Sequence, residues 1–244
     1  MGAIYKREMR AYFSSSIGYI YIAVYLAVSG FAFAFTTLQS VIGGAKVDLG
    51  MYFMIIIFIF SIIIPLLTMK SFSDERRMKT EQLLLTSPVS LAGMVMAKFL
   101  AAYTMFAGTY LTSCLYYFVL FRYQPEALTL PNLRVTLIGY SIAILLLGGA
   151  FIAVGIFISS LTENQIAAVM GTLAILMMFL LCGFLNNYIG SSAVRVVLSW
   201  ISVYSRFTNF TFGVFDFAAV AYYASITFVF LFLTVRVYEK RRWE

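Results

Sequence analysis

Long uninterrupted runs of apolar residues make up most of this chain, and short polar stretches separate them. A membrane core about 30 Å thick is crossed by about 20 mostly apolar residues in a helix. Because backbone polar groups in lipid must be satisfied internally, runs of this length predict helices rather than the short alternating strands of a barrel. Six runs meet the criterion, at approximately residues 17–38, 51–69, 93–121, 135–161, 166–188 and 217–235. The pattern predicts an all-α polytopic membrane protein with six transmembrane helices, forming a single transmembrane domain over residues 1–244.

The first 16 residues have an amphipathic pattern instead. Apolar residues recur at helical spacing on one face and basic residues occupy the opposite face: Tyr5, Met9, Tyr12 and Phe13 against Lys6, Arg7 and Arg10. This periodicity predicts an interfacial helix lying along the inner surface of the membrane. A basic tail that serves only to orient the chain is the alternative.

The loop at residues 187–215, on the predicted outer face, is unusually apolar for a connection. Its apolar residues follow the spacing of one helix face, at Val194, Val197, Leu198 and Ile201. Trp200 and Tyr204 are close in sequence, and both residue types favour the depth of the membrane interface. The segment therefore predicts a short amphipathic helix at the outer surface.

Composition agrees with a membrane protein and argues against nucleic acid as a partner. Hydrophobic residues make up 62% of the chain and charged residues 11%, whereas soluble domains are about half apolar and about a quarter charged. The net charge of +7 lies in the gaps between apolar runs, not on a soluble face that could bind phosphates. Membrane lipids are the expected surroundings.

The distribution of lysine and arginine predicts the orientation. With both termini cytoplasmic, the inner segments carry twelve of the 17 basic residues and the outer segments carry five. This bias is the one that orients helical membrane proteins. We therefore expect a multi-pass protein of the bacterial cytoplasmic (inner) membrane.

The sequence predicts no catalytic activity in this chain. It has no histidine, the commonest general base and metal ligand, and no nucleophile, metal or phosphate-loop motif. The sequence therefore predicts no catalytic residue, no cofactor and no metal site. Lys98 and Asp216 lie near the ends of their runs, where Lys98 can extend to the surface, so no relay of ionisable groups crosses the membrane.

The segment between the second and third runs, residues 70–91, is more elaborate than a simple connection. Charges of both signs are followed by three leucines and then by Ser87 and Pro88, which predict the start of the next helix. A mixed-charge helix with an apolar face is typical of a docking surface for a partner protein. A solvated connector is the alternative.

Three segments resemble the ABC-2-type transporter permeases. They are DERRMKTEQLLLTSPVS at residues 74–90 followed by Lys98, SSLTENQIAA at residues 159–168, and KREMRAYFSS at residues 6–15. With the six-span plan, the resemblance covers essentially the whole chain. The subgroup that the chain resembles most is the gliding-motility-associated ABC permeases, although Ser205-Arg206-Phe207 stands where those permeases often carry a histidine before phenylalanine.

The resemblance implies an exporter permease whose residues 70–91 form a cytoplasmic coupling loop. A separate cytoplasmic ABC ATPase subunit would bind ATP and Mg and drive alternating access in two permease copies, identical or related. Envelope accessory proteins are further candidate partners. The implied ATPase-coupling residues are Asp74, Glu75, Arg76, Arg77, Thr80, Glu81, Leu83, Leu84, Leu85 and Glu163. An ion-coupled carrier or channel, and a scaffold subunit of an envelope machine, are the alternatives.

Small residues form a stripe along the fourth run. They are Gly148, Gly149, Gly155 and Ser159. Small side chains allow helix backbones to approach closely in lipid, so the stripe predicts helix packing, with a substrate path as the alternative.

Overall fold

The computed structural model describes residues 2–39, 49–80, 90–123, 131–185, 202–207 and 216–243. No β-strand occurs in these ranges, and they contain six helices long and apolar enough to cross a membrane. The predicted all-α polytopic fold is confirmed. Four predicted coupling residues, Glu81, Leu83, Leu84 and Leu85, lie outside the described residues, as do Val194, Val197, Leu198, Trp200 and Ile201 of the predicted outer helix.

The helices follow the apolar pattern of the sequence. In chain order they are α1 (Gly2–Ser14), α2 (Ser16–Phe33, continued by a π-helical turn at Ala34–Leu38), α3 (Gly50–Thr68), α4 (Ser73–Arg77), α5 (Leu91–Ser113), α6 (Leu115–Tyr123), α7 (Pro131–Leu161), α8 (Gln165–Leu185), α9 (Val203–Phe207) and α10 (Phe217–Trp243). The six spans are α2, α3, α5 with α6, α7, α8 and α10.

The third span is interrupted at Cys114, where the sequence predicts a continuous helix. The Ser113 hydroxyl donates to the Tyr110 carbonyl at 2.6 Å, and the Cys114 amide is shared between the carbonyls of Tyr110 and Leu111 at 3.2 Å each. A side chain that competes for a helix carbonyl loosens the regular hydrogen-bond ladder. The apolar pattern gives no sign of this break because all the residues around it suit a membrane helix.

Two helix ends also differ from the prediction. The start of α5 is capped by Ser90, whose hydroxyl accepts the Gly93 amide at 3.3 Å. The predicted cap, Ser87, lies outside the described residues. At the other end of the chain, α10 continues past residue 235 to Trp243. Its last turn carries Lys240, Arg241 and Arg242, and cations there interact favourably with the helix dipole.

The centre of the bundle is formed by α3, the third span and α7. Between 61% and 67% of each of these spans is buried inside the protein, against 33% for α2 and α8 and 22% for α10. The three outer spans therefore present most of their apolar surface away from this chain. That surface is available to lipid or to another membrane protein.

Two glycines of the small-residue stripe allow α7 to approach its neighbours. A methyl group at Gly148 would lie 2.1 Å from the Phe106 ring of α5, and one at Gly155 would lie 2.2 Å from the Thr68 hydroxyl of α3. At either position a side chain would clash with the neighbouring helix. Gly149 is less restricted, because its nearest neighbour would be 3.5 Å away.

Candidate functional site

The first helix places one face against the bundle and the other outside it. Tyr5, Met9 and Tyr12 are half-buried, as the periodicity predicts, whereas Phe13 is exposed. The Tyr5 hydroxyl bonds to the Thr104 hydroxyl on α5 at 3.2 Å, and the Tyr12 hydroxyl donates to the Leu67 carbonyl at the end of α3 at 3.2 Å. These contacts fix the face of α1 that also carries Glu8.

Lys98 is the most deeply buried charged side chain at this end of the bundle, with only 1% of its side chain exposed. Its ammonium lies 3.0 Å from Glu8 Oε1, 3.0 Å from Glu75 Oε1 and 2.6 Å from the Ser71 carbonyl oxygen. An ammonium has three protons to donate, and three acceptors surround it. The prediction that Lys98 extends to the surface is therefore wrong. The side chain stays buried because carboxylates from two other elements reach it.

Arg7 completes a group of four charges. Its guanidinium lies 2.8 Å from Glu8 Oε1 and 2.6 Å from Glu75 Oε1. Arg7, Glu8, Glu75 and Lys98, here called the charge cluster, contain two cations and two carboxylates and carry no net charge. The cluster joins α1, α4 and α5. Removing the buried Lys98 from such an arrangement typically costs about 3–5 kcal/mol, because it leaves uncompensated charge. Arg7 contributes less, because 52% of its side chain is exposed to solvent.

The electrostatic effect on Glu8 follows from this geometry. Burial alone would raise the pKa of its carboxyl, since burial disfavours the charged form. The Lys98 ammonium and the Arg7 guanidinium outweigh burial and hold the pKa of Glu8 below its ordinary value. Glu8 is therefore ionised at neutral pH and contributes its charge to the cluster.

The short helix α4 is well specified by its own sequence. Asp74 and Glu75 occupy its first turn and Arg76 and Arg77 its last, which suits the helix dipole at both ends. The helix ends in a Schellman motif: the Thr80 amide bonds to the Glu75 carbonyl at 2.9 Å and the Lys79 amide to the Arg76 carbonyl at 3.0 Å. Lys79 adopts the left-handed conformation that this motif requires, with φ 56°.

Ser159, near the end of α7, connects α4 to the membrane spans. Its hydroxyl accepts the backbone amides of Phe72 and Ser73 at 3.1 and 3.2 Å and donates to the Met69 carbonyl at 3.0 Å. One buried hydroxyl thus bridges the end of α3 and the start of α4. The sequence places Ser159 in the small-residue stripe and in the family-like segment at residues 159–168. It does not predict this contact, which forms because the chain folds back over α7.

A second set of polar contacts joins α4 to the connection between α7 and α8. Arg76 donates to the Leu161 carbonyl at 3.0 Å and forms an ion pair with Glu163 at 2.9 Å. The Gln165 side chain donates to the Asp74 carboxylate. These contacts join two of the segments that resemble the ABC-2-type permeases, one beginning at Asp74 and the other at Ser159.

The last helix reaches the same region. The Tyr238 ring lies 4.7 Å from the ring of Phe72, which also faces the Lys98 ammonium at 4.9 Å. Arg241 donates to the Ser160 carbonyl at 2.8 Å. Elements from the beginning, middle and end of the chain therefore meet around α4.

A half-open cavity lies at this junction between the described residues. Its volume is about 690 Å³, and it borders the charge cluster, between α1, the end of α3 and α4, with Tyr12, Leu66 and Lys70 in its lining. Helix α1 has no fully buried residue. The buried Phe72 ring, which directly precedes α4, adds apolar packing to the polar contacts of this helix.

Of the sequence-predicted coupling residues, Asp74, Glu75, Arg76 and Glu163 are brought together, Thr80 closes α4, and Arg77 is exposed. The sequence did not identify Glu8 and Lys98 as partners. The one available signal was a lysine inside an apolar run, since such residues are seldom without a partner. Within the described residues, no three acidic or sulfur side chains converge as metal ligands.

The comparisons with known proteins agree with the resemblance in the sequence. No curated protein matches the chain closely enough to count as a relative. A family profile described as ABC-2 family transporter protein matches residues 9–243, which includes α4 and Lys98 but begins just after Arg7 and Glu8. The chain therefore belongs to the ABC-2 transporter family, whose members are membrane-spanning permease subunits of ABC transporters without catalytic activity of their own.

Proposed function

We propose that this permease exports its substrate by alternating access, driven by ATP hydrolysis in a separate cytoplasmic ATPase subunit. ATP and Mg belong to that subunit. Two permease copies, identical or related, form the membrane unit in the bacterial inner membrane. Both termini and α4 face the cytoplasm in this arrangement. The gliding-motility-associated permeases are the subgroup that we propose, and envelope accessory proteins are candidate partners.

The observation that carries this proposal is the attachment of α4 to several spans at once. Glu75 is tied to α5 through Lys98, the start of α4 is tied to α3 and α7 through Ser159, and Arg76 is tied to the connection after α7. A displacement of α4 is therefore transmitted to three spans without passing through a flexible loop. Such attachment suits the rigid-body movements that accompany nucleotide-driven closure.

The surface that would meet the ATPase lies beyond these anchors. Arg77, Met78 and Lys79 are exposed at the end of α4, and Met78 exposes 64% of its surface. We propose that the contact continues through Glu81, Leu83, Leu84 and Leu85. Residues 162–165 provide a smaller contact, in which the exposed Glu163 both pairs with Arg76 and faces outward.

Co-purification tests the proposed docking surface. The wild-type chain is expected to co-purify with an ATPase, and Glu81→Lys or Leu84→Asp is expected to abolish the association, because each places an unfavourable charge in the contact. Arg122→Glu is a charge reversal at an exposed position at the opposite end of the third span, and it should retain the ATPase.

Three outcomes contradict the proposal. Retention of the ATPase in both α4-loop variants would overturn the docking surface. Ion-gradient-driven transport by this chain alone in proteoliposomes, indifferent to ATP, would favour an ion-coupled carrier or channel. Stable assembly with the ATPase but no flux for any substrate would favour a scaffold subunit.

A further inference from the structure

Helices α1 and α2 meet at a corner that a single residue makes. Helix α1 ends at Ser14 and α2 begins at Ser16. Between them, Ser15 has an extended backbone, with φ −98° and ψ 145°, and its amide still bonds to the Ala11 carbonyl at 3.0 Å. A connection of this length cannot separate the two helices, so the last turns of α1 lie directly against the first turn of α2.

Gly18, in the first turn of α2, allows this close approach. It is buried, and a methyl group added there would lie 2.2 Å from the Tyr12 carbonyl oxygen and 2.9 Å from the Tyr12 carbonyl carbon. Both atoms belong to the backbone of α1, so no side chain can rotate away to make room. Carbon and carbonyl oxygen atoms in contact are normally about 3.3 Å apart, so a side chain at position 18 would force the two helices apart by about 1 Å.

Tyr12 connects this corner to the rest of the bundle. Its carbonyl faces Gly18 of α2, and its hydroxyl donates to the Leu67 carbonyl at the end of α3 at 3.2 Å. Glu8 lies one helical turn before Tyr12, about 6 Å along α1 and on the same face. A shift of α1 at Tyr12 is therefore carried to Glu8 by the helix.

The ion pair of Glu8 cannot absorb such a shift. Its Oε1 atom lies 3.0 Å from the Lys98 ammonium, and an increase of about 1 Å takes the two atoms beyond the range of a hydrogen bond. Only 1% of the Lys98 side chain is exposed, so water would not readily replace the lost acceptor. The space at Gly18 and the pairing of Lys98 are therefore linked through α1.

We propose that Gly18 is a positioning residue for the charge cluster. By letting the first turn of α2 contact the Tyr12 carbonyl, it seats α1 on the bundle so that Glu8 reaches Lys98. The Lys98 ammonium also binds Glu75, so the corner at Gly18 influences the position of α4 as well. The inference rests on these contacts and does not depend on the coupling function proposed above.

Limited proteolysis of the full chain in lipid nanodiscs tests the proposal. Trypsin cleaves after Lys6, Arg7 and Arg10 only when α1 opens, so the cleavage rate reports how firmly this helix is held. Gly18→Ala is expected to raise cleavage at these sites several-fold. The control is Gly108→Ala in α5, where an added methyl group would meet no described atom within 4 Å, and it should leave the rate unchanged. Both changes favour a helical backbone, so the difference between them reports the contact with α1.

A second pair of variants tests whether the effect passes through the charge cluster. Lys98→Met alone should raise cleavage of α1 by a factor similar to that of Gly18→Ala, because it removes the partner of Glu8. Adding Gly18→Ala to Lys98→Met should then raise cleavage little further, since the ion pair that the clash disturbs is already absent.

Three results would overturn the proposal. Unchanged cleavage in Gly18→Ala would show that the corner does not seat α1. A full further increase on the Lys98→Met background would show that Gly18 acts independently of the charge cluster. An equal increase after Arg236 and Lys240 of α10 in Gly18→Ala would show that Gly18 supports the whole bundle and not the position of α1.

Discussion

Lys98 shows how this membrane protein accommodates charge near the end of an apolar helix. Its ammonium is surrounded by the Glu8 and Glu75 carboxylates and the Ser71 carbonyl. The ring of Phe72 also faces the ammonium. A buried cation is stable only when its hydrogen-bonding directions are satisfied and its charge is balanced. The pairing joins residues 90 positions apart in the sequence, so the apolar pattern could not reveal it.

Replacing Lys98 should therefore destabilise the protein more than the loss of an uncharged side chain of the same size would. Lys98→Met is expected to cost about 3–5 kcal/mol, because it leaves two carboxylates with Arg7 alone. Adding Glu8→Gln restores charge balance through the Arg7–Glu75 pair, so the double variant should recover part of the loss. Thermal unfolding of the detergent-solubilised protein measures the effect.

The control for Lys98 is Lys6→Met, at an exposed position on α1, which should change stability little. A loss for Lys98→Met no larger than that of the control would show that the charge cluster contributes nothing. Additive losses in the double variant would show that Glu8 and Lys98 act independently.

The lowered pKa of Glu8 predicts a pH dependence. Because the folded-state pKa is below the unfolded one, Glu8 contributes stability above the ordinary glutamate pKa of about 4.3, and this contribution is lost as pH falls through the folded-state value. The wild-type chain should melt at a higher temperature than Glu8→Gln at neutral pH, and the difference should close in acid. A difference that is constant across the acidic range would contradict the role of Glu8.

Among the elements, α4 is the one whose position depends most on a few contacts. It has only five residues, and its start is held by the Ser159 hydroxyl. A short helix of this kind is not stable alone and relies on tertiary contacts. Its end is set locally, by the Schellman motif at Lys79 and Thr80.

Ser159→Ala should loosen α4 without disrupting the bundle. The change removes the acceptor of two buried amides, and each unsatisfied group costs about 1–3 kcal/mol. Amide hydrogen exchange at residues 72–77 is expected to become faster. Ser160→Ala is the matched control, because the Ser160 hydroxyl bonds within its own helix at 2.6 Å. Equal exchange in the two variants would contradict the bridging role of Ser159.

The sequence predicted the spans because apolar length alone defines them, but it could not place the contacts between elements. The mixed charges at residues 74–77 predicted a short helix, and the structure has one at Ser73–Arg77. The leucines that were expected to give this helix an apolar face lie outside the described residues. The interruption at Cys114 and the cap at Ser90 depend on individual hydroxyl groups, which apolar periodicity does not register. The pairing of Glu8 with Lys98 exists only once α1 folds onto α5.

On the scale of the whole molecule, the bundle has one end rich in ion pairs and an opposite end where an apolar groove opens. The charged end gathers α1, α4, the α7–α8 connection and α10. The outer spans leave most of their apolar surface uncovered, which suits a second permease copy or lipid. An energy source outside the chain would act at the charged end, where movement of α4 reaches three spans.

The most direct test of this account is crosslinking from Met78, at the exposed end of α4. In a chain with Cys114→Ser and Cys182→Ser, Met78→Cys is expected to crosslink to the co-purifying ATPase, with a yield that changes when nucleotide is added. Phe118→Cys, equally exposed but at the opposite end, should give no crosslink to it. Crosslinking from Phe118→Cys and not from Met78→Cys, or no crosslink from either, would contradict the central claim that α4 receives the ATPase.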